Sequence, residues 1–273
     1  LKLPELPEVE TTLQGIEPFV TNHQVNKINI RQARLRWIVP TKLPLMLEGL
    51  KFNKINRRGK YLLFENDYGH MIIHLGMSGS LRIVKADEPP GKHDHVDFCF
   101  SAGHILRFKD PRRFGCVLWQ DKSQTVHPLL LNLGPEPLSD NFEGKHLFLA
   151  SRKRSISIKP FIMDSKIVVG VGNIYANEAL FLAKINPKIS AGRVSLQRYE
   201  RLVFAIKEVL KEAISVGGTT LRDFKGSDGS PGYFKQKLNV YGRGGKKCIS
   251  CRNTLREIRL SQRSTVYCNK CQR

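Results

Sequence analysis

Pro4-Glu5-Leu6-Pro7-Glu8-Val9-Glu10 starts a helix that the rest of the chain has to accommodate. Pro7 suits the first helical position, where a missing N–H and a fixed φ cost nothing. Glu8 and Glu10 fall in the first turn, where the helix dipole favours negative charge. Val9, Leu13, Ile16 and Val20 follow at helical spacing and make one apolar stripe. Pro4 carries a second meaning. A proline at a chain start is a secondary amine, and α-amino groups titrate near ~8. Such a group is partly unprotonated at neutral pH and can attack an aldehyde carbon. Leu1-Lys2-Leu3 precede it in this sequence. With those residues attached the Pro4 nitrogen is an amide without an available lone pair, so the nucleophile reading requires a chain that begins at Pro4.

After the helix the pattern turns strand-like. Short runs rich in β-branched and aromatic residues occupy 25–30, 49–56, 61–65, 71–75, 81–84, 96–100, 105–109 and 117–120, separated by Gly, Asn, Asp and Pro. Eight short strands with few helices between them predict a sandwich or flattened barrel. Residues 134–146 are turn-rich and polar and mark a boundary. Beyond it the period becomes helical. One helix is expected over Asn173–Lys184. A second is capped by Ser195, faces Leu202, Val203, Ile206, Val209, Leu210, Ala213 and Ile214 inward, and ends at Gly217-Gly218. The class is therefore α+β and multidomain.

The net charge of +21 calls for a polyanionic partner. No run of ~18 apolar residues spans a bilayer, and no charged-then-apolar leader opens the chain. Nucleic acid becomes the expected partner and the cytoplasm the expected compartment. Cys99 and Cys116 sit in strand-like runs and read as packed small hydrophobes. Cys248, Cys251, Cys268 and Cys271 differ, because two CxxC knuckles put four thiolates within tetrahedral reach of one Zn²⁺. All four positions would be filled, which makes that zinc structural. The same tail carries nine Lys/Arg from 243 to 273 against a single acid, Glu257, and suits phosphate binding.

Three further stretches carry chemistry. In 168–175, glycines feed an expected Asn173 N-cap and expose backbone N–H groups to an anion. Arg57-Arg58-Gly59-Lys60 is a cationic turn that can grip phosphates. The loops 74–80 and 110–115 carry Met77, Arg112 and Phe114. Met and Phe can wedge between base pairs, and Arg can fill the space of an extruded base.

Pro-Glu-Leu-Pro-Glu-Val-Glu-Thr at 4–11, Arg-Arg-Gly-Lys at 57–60, His-Leu-Gly-Met-Ser-Gly at 74–79, Asp-Pro-Arg-Arg-Phe-Gly at 110–115, Gly-Val-Gly-Asn-Ile-Tyr at 170–175 and the two CxxC pairs occur in this order. Over essentially its whole length the chain resembles the bacterial formamidopyrimidine-DNA glycosylases, which excise 8-oxoguanine and are also AP lyases. The resemblance implies an N-terminal β-sandwich with the opening helix (1–134), a linker (135–150), a helix–two-turn–helix domain (151–237) and a zinc-finger β-hairpin (238–273). DNA holding an oxidised purine or an abasic site would lie between the two halves, bound by a monomer at the bacterial nucleoid. By the same resemblance Pro4 is the nucleophile, Glu5 the acid–base residue, Lys60 a proton donor and phosphate contact, and Arg263 the arginine linked to δ-elimination. Met77, Arg112 and Phe114 match the void-filling triad, and His93, Arg154, Lys159 and Asn173 match DNA contacts. The loop 225–234 matches the segment that covers the flipped base. Two rivals remain. One is endonuclease VIII, the pyrimidine-specific relative, whose opening typically has Gly where Leu6 stands here. The other is a non-catalytic binder of damaged DNA. Since phosphate contacts dominate any of these readings, affinity for duplex DNA is expected to fall steeply with rising salt, and a flat titration would contradict the charge argument.

Overall fold

The structure, a computed structural model, describes residues 4–217 and 238–273. The chain divides into two compact units, one built on residues up to Leu131 and the other on Asn132–Val216 with the C-terminal residues.

In the first unit, α1 (Leu6–Val20) precedes β1 (Val25–Ile30) and the short α2 (Leu43–Leu47). Seven strands follow: β2 (Lys54–Arg58), β3 (Tyr61–Asn66), β4 (Gly69–His74), β5 (Ser80–Lys85), β6 (Asp94–Phe100), β7 (His104–Lys109) and β8 (Cys116–Asp121), then α3 (Pro128–Leu131). They form two four-stranded antiparallel sheets, ordered β1-β6-β7-β5 and β2-β3-β4-β8. Both sheets contribute to one core that also takes in the predicted α1 stripe: Val9, Leu13, Ile16 and Val20 pack with Phe64, Met71, Phe98 and Phe108. α1 begins at Leu6, so Pro7 is its second residue, with Glu5 as N-cap. The strand expected over 49–56 is shorter at its start. Lys51 and Phe52 make only isolated bridges, and regular pairing begins at Lys54 opposite Glu65.

The second unit holds α4 (Gly144–Ser151), α5 (Ile158–Ile162), α6 (Asn173–Leu182), α7 (Leu196–Ser215) and the hairpin β9 (Arg256–Leu260) with β10 (Arg263–Tyr267). The stretch 135–150 is not a bare linker: it contains most of α4, and Phe142 and Leu147 are buried in the helical core. Ser195 caps α7 as expected, accepting the Arg198 N–H at 3.4 Å. Gly217, in the left-handed region at φ 76°, follows the helix end, where a Cβ would be strained. Gly218 and the 225–234 loop lie outside the described residues.

Helices and hairpin are joined by buried polar side chains of α6. The Glu178 carboxylate accepts three consecutive backbone N–H groups, from Asn239 at 2.8 Å, Val240 at 2.9 Å and Tyr241 at 2.8 Å. Charge-assisted bonds of this kind are the strong ones, and their loss leaves buried donors unpaired. Glu178→Ala is expected to destabilise this unit by about 3 kcal/mol. Calorimetry would measure the loss, and amide exchange at Asn239–Tyr241 should accelerate.

Candidate active site and nucleic-acid interface

Pro4 is buried immediately before the N-cap of α1. Glu5 is 1% exposed, and its backbone is fixed from two sides. Its N–H donates to Glu8 Oε2 at 2.9 Å, and its carbonyl accepts the Val9 N–H at 3.1 Å. The Glu5 carboxylate completes the reciprocal capping box. An amine at Pro4 would thus stand on a rigid helix start with a carboxylate on the adjoining residue. Further along α1, Glu10 Oε2 accepts from Arg57 Nε at 2.6 Å, and Arg57 Nη1 donates to Gly59 O at 3.1 Å. Arg57 therefore clamps the β2–β3 turn to α1 instead of offering a bare phosphate grip. Arg58 pairs with Tyr61 across a two-residue turn, and Gly59 at φ 57° permits that geometry and presents the half-buried Lys60.

Opposite Tyr61 sits His74, with ring centroids 4.7 Å apart. His74 Nδ1 accepts the Gly76 N–H at 2.9 Å. Burial, then the Lys60 and Arg36 cations, push its pKa down to about 4 against an upward pull from Asp110.

The loops bearing Met77, Arg112 and Phe114 interlock. Gly76 lies at φ 64°, and a Cβ there would meet the Phe114 carbonyl carbon and the Gly115 nitrogen at 2.5 Å. A Cβ at Gly115 would meet His74 O at 2.6 Å. The fully buried Asp110 carboxylate ties the two loops together. Its Oδ1 accepts from Ser78 Oγ at 2.6 Å, and its Oδ2 accepts the Gly115 N–H at 2.8 Å. Ser78 Oγ in turn accepts the Arg112 N–H at 3.1 Å. Out of this braced base project Arg112 and Phe114, the guanidinium 4.7 Å above the ring and the ring 41% exposed. His93 joins the same assembly through its carbonyl, which accepts the Asp110 N–H at 3.0 Å, while His95 Nε2 donates to Asp110 O at 2.7 Å.

In the second unit, Arg154 is exposed, with Nε donating to Ala150 O at 3.1 Å. Asn173 is the first residue of α6; the N-cap is Gly172, not Asn173 as the sequence suggested. Lys159 also departs from expectation. It is 1% exposed, and its Nζ donates to Ser264 O and Thr265 Oγ1 of the hairpin, both at 2.7 Å, so it does not stand at the surface. Arg263 is exposed at the start of β10. The four cysteine Sγ atoms lie within 4.8 Å of one another. Tetrahedral Zn–S bonds of about 2.3 Å imply edges of about 3.8 Å. Cys248–Cys271 at 3.9 Å and Cys251–Cys268 at 3.4 Å fit that shape.

Three family models match the chain: the formamidopyrimidine-DNA glycosylase N-terminal domain over residues 3–117, the H2TH domain of the same glycosylases over 133–225, and a zinc finger found in FPG and IleRS over 245–273. Formamidopyrimidine-DNA glycosylases of Stutzerimonas stutzeri and Saccharophagus degradans are 55% and 56% identical over 271 residues, covering 99% of this chain and 100% of each relative. A solved complex of Lactococcus lactis Fpg with abasic-site DNA superposes with a TM-score of 0.90 at 34% identity, covering 98% of this chain and 99% of that one. The chain belongs to the formamidopyrimidine-DNA glycosylase family. As in the family's zinc finger, the four cysteines form the site for one structural zinc ion. Among the described residues no helix is long and apolar enough to cross a membrane.

Sequence reasoning left His74, Asp110, Asn177 and Glu178 without roles. Asp110 had a usable signal, since Asp before Pro and Gly residues marks a turn held by its own side chain. His74 had none, because its neutrality depends on cations brought near by folding. Below its unfolded pKa of ~6.5 the unfolded chain takes up a proton that the native imidazole refuses until about pH 4. This contribution to stability is full above ~6.5 and is lost as the pH falls toward 4. Both tryptophans, Trp37 and Trp119, are in this unit and report its unfolding. Between about pH 7.5 and 4.5 the wild type should lose about 2.5 kcal/mol more than His74→Asn, which keeps an acceptor for Gly76 but does not titrate. Equal losses in fluorescence-monitored denaturation would refute a His74 held neutral in the native state.

Proposed function

We infer that this glycosylase excises oxidised purines, 8-oxoguanine and formamidopyrimidines, from double-stranded DNA and then cuts the strand at the resulting abasic site. The observation that carries the reading is Pro4 buried at the start of α1 with Glu5 beside it. Solved Lactococcus lactis relatives hold abasic-site DNA and N7-benzyl-Fapy-dG DNA, which supports a lesion-bearing duplex as substrate.

The glycosidic carbon of a stacked nucleotide is shielded, so the damaged nucleotide is rotated out. Met77 and Phe114 wedge into the gap, and Arg112 supplies donors to the opposite base. The free Pro4 amine attacks C1′, the base leaves with the bonding electron pair, and Glu5 moves a proton to the sugar-ring oxygen as the ring opens. The resulting iminium acidifies the neighbouring C2′ proton. Its removal expels the 3′ phosphate, and a second elimination expels the 5′ phosphate. Lys60 and Arg263 stabilise the phosphates that carry the leaving charge, while His93, Arg154 and Asn173 hold flanking phosphates. The zinc ion fixes the hairpin that carries Arg263 and takes no part in the chemistry. The protein acts as a monomer.

Borohydride reduces an iminium to a stable amine. Protein that starts at Pro4 is expected to be trapped covalently on 8-oxoguanine DNA, whereas the chain with Leu1-Lys2-Leu3 attached should bind without an adduct. Absence of an adduct from the Pro4-initiated protein would identify a binder. Faster excision of thymine glycol than of 8-oxoguanine would identify a pyrimidine enzyme.

A further inference from the structure

Lys159 raises a physical question, because a buried ammonium is a poor way to stabilise a fold. A hydrophobe of similar volume is often neutral or better at such a site. Its contacts show what it does instead. Besides Ser264 O, its Nζ donates to Thr265 Oγ1 at 2.7 Å, and Thr265 Oγ1 donates onward to the Arg263 carbonyl at 3.1 Å. One residue further, the Val266 N–H donates to Asn177 Oδ1 at 2.8 Å, and Asn177 Nδ2 donates to Asn173 O at 2.6 Å. Side chains from α5 and α6 thus hold three consecutive residues of β10, beginning directly after Arg263. The far end of the chain of bonds is Asn173.

The hairpin needs such a brace. Zinc pins its base at Cys268, but Arg263 is five residues away, about 17 Å along an extended strand. A lone two-stranded hairpin is marginal. Its turn has no glycine: Ser261 and Gln262 both occupy the left-handed region, at φ 46° and 60°. Nothing in the turn chemistry itself anchors the arginine.

We propose that Lys159 and Asn177 are positioning residues that fix Arg263 relative to Asn173, and that Lys159 makes no phosphate contact of its own. This rests on the reading of Arg263 and Asn173 as phosphate ligands. The relay defines a register: Lys159 sets the Arg263 carbonyl through Thr265, and Asn177 sets the next backbone bond against the helix that presents Asn173.

The test is a double-mutant cycle on the whole zinc-loaded protein, with affinity for a duplex bearing a non-cleavable abasic analogue measured across a salt series. Arg263→Ala should weaken binding roughly tenfold and lower the salt slope by about one. Lys159→Met should do nearly the same with zinc content unchanged, yet add almost nothing in the Arg263→Ala background. Lys159→Arg, which keeps the donors, should recover most of the affinity. Thr265→Val, which removes only the relay hydroxyl, should move affinity in the same direction, and it decides the matter if Lys159→Met loses zinc. Additive losses, with a second unit of salt slope gone, would mean that Lys159 touches a phosphate and would overturn the proposal. So would wild-type affinity in both Lys159→Met and Thr265→Val. If Arg263→Ala itself binds normally, the failure lies in the phosphate-ligand reading, and the positioning role falls with it.

Discussion

Buried carboxylates that accept backbone N–H groups are the interaction on which the functional segments depend. The loops at 74–79 and 110–115 and the segment at 239–241 are short and polar, so apolar burial cannot fix their shape. Asp110 and Glu178 do so instead, and Glu8 does the same for the start of α1. An ionised carboxylate has two oxygens and about four acceptor sites, so one side chain can hold several donors at once. Burying the charge is costly, but that cost is offset when every oxygen is bonded. The same logic extends to the sheet β1-β6-β7-β5. There Asp97 takes a bidentate pair of bonds from Arg107, at 2.9 Å each, and Arg107 reaches on to the Glu88 and Pro89 carbonyls.

On the proposed reading of Met77 and Phe114 as wedges, stiffness in these loops serves insertion. Inserting side chains into a base stack costs a few kcal/mol of unstacking. A wedge that deformed under that load would return part of the insertion energy as its own disorder. Met77 and Phe114 do not sit on independent loops. Gly76 and Gly115 allow the two backbones to touch, and Ser78 and Asp110 bolt them together. The rigid base is the end of β4 and β7, both members of the sandwich, so loop and sheet form one continuous hydrogen-bonded body.

The elements were legible in the sequence wherever periodicity or a cap marked them. β1 runs over Val25–Ile30, the span marked by its β-branched residues, and α7 starts after Ser195 and stops before Gly217. α4 was missed because its first residues fall at the end of the turn-rich stretch 134–146, and its helical character comes from packing against α7 and not from a stripe of its own. The β9–β10 hairpin was expected from the family resemblance, but its turn could not be placed from the residues, because Ser261-Gln262 lacks the Asn-Gly signature of a two-residue hairpin. The Cys₄ site was readable because its spacing is the chemistry. The Lys159 environment was not: a lysine in a basic chain looks like a phosphate ligand, and only the fold shows the ammonium turned inward to Thr265.

That last case bears on how cations are assigned in any strongly basic protein. Charge excess establishes that a polyanion is expected, but not which cations meet it. Arg57 is bonded to Glu10, Arg107 to Asp97, and Lys159 to the hairpin backbone. Arg57 holds the turn that carries Lys60, Arg107 braces its own sheet, and Lys159 holds the strand that begins with Arg263. A cation that holds the scaffold requires a defined acceptor at bonding distance and exclusion from water. A cation that binds phosphate needs neither until DNA arrives. The separation of the two classes lies in burial and partner geometry, and it divides residues of identical chemistry into those that recognise the substrate and those that make recognition possible.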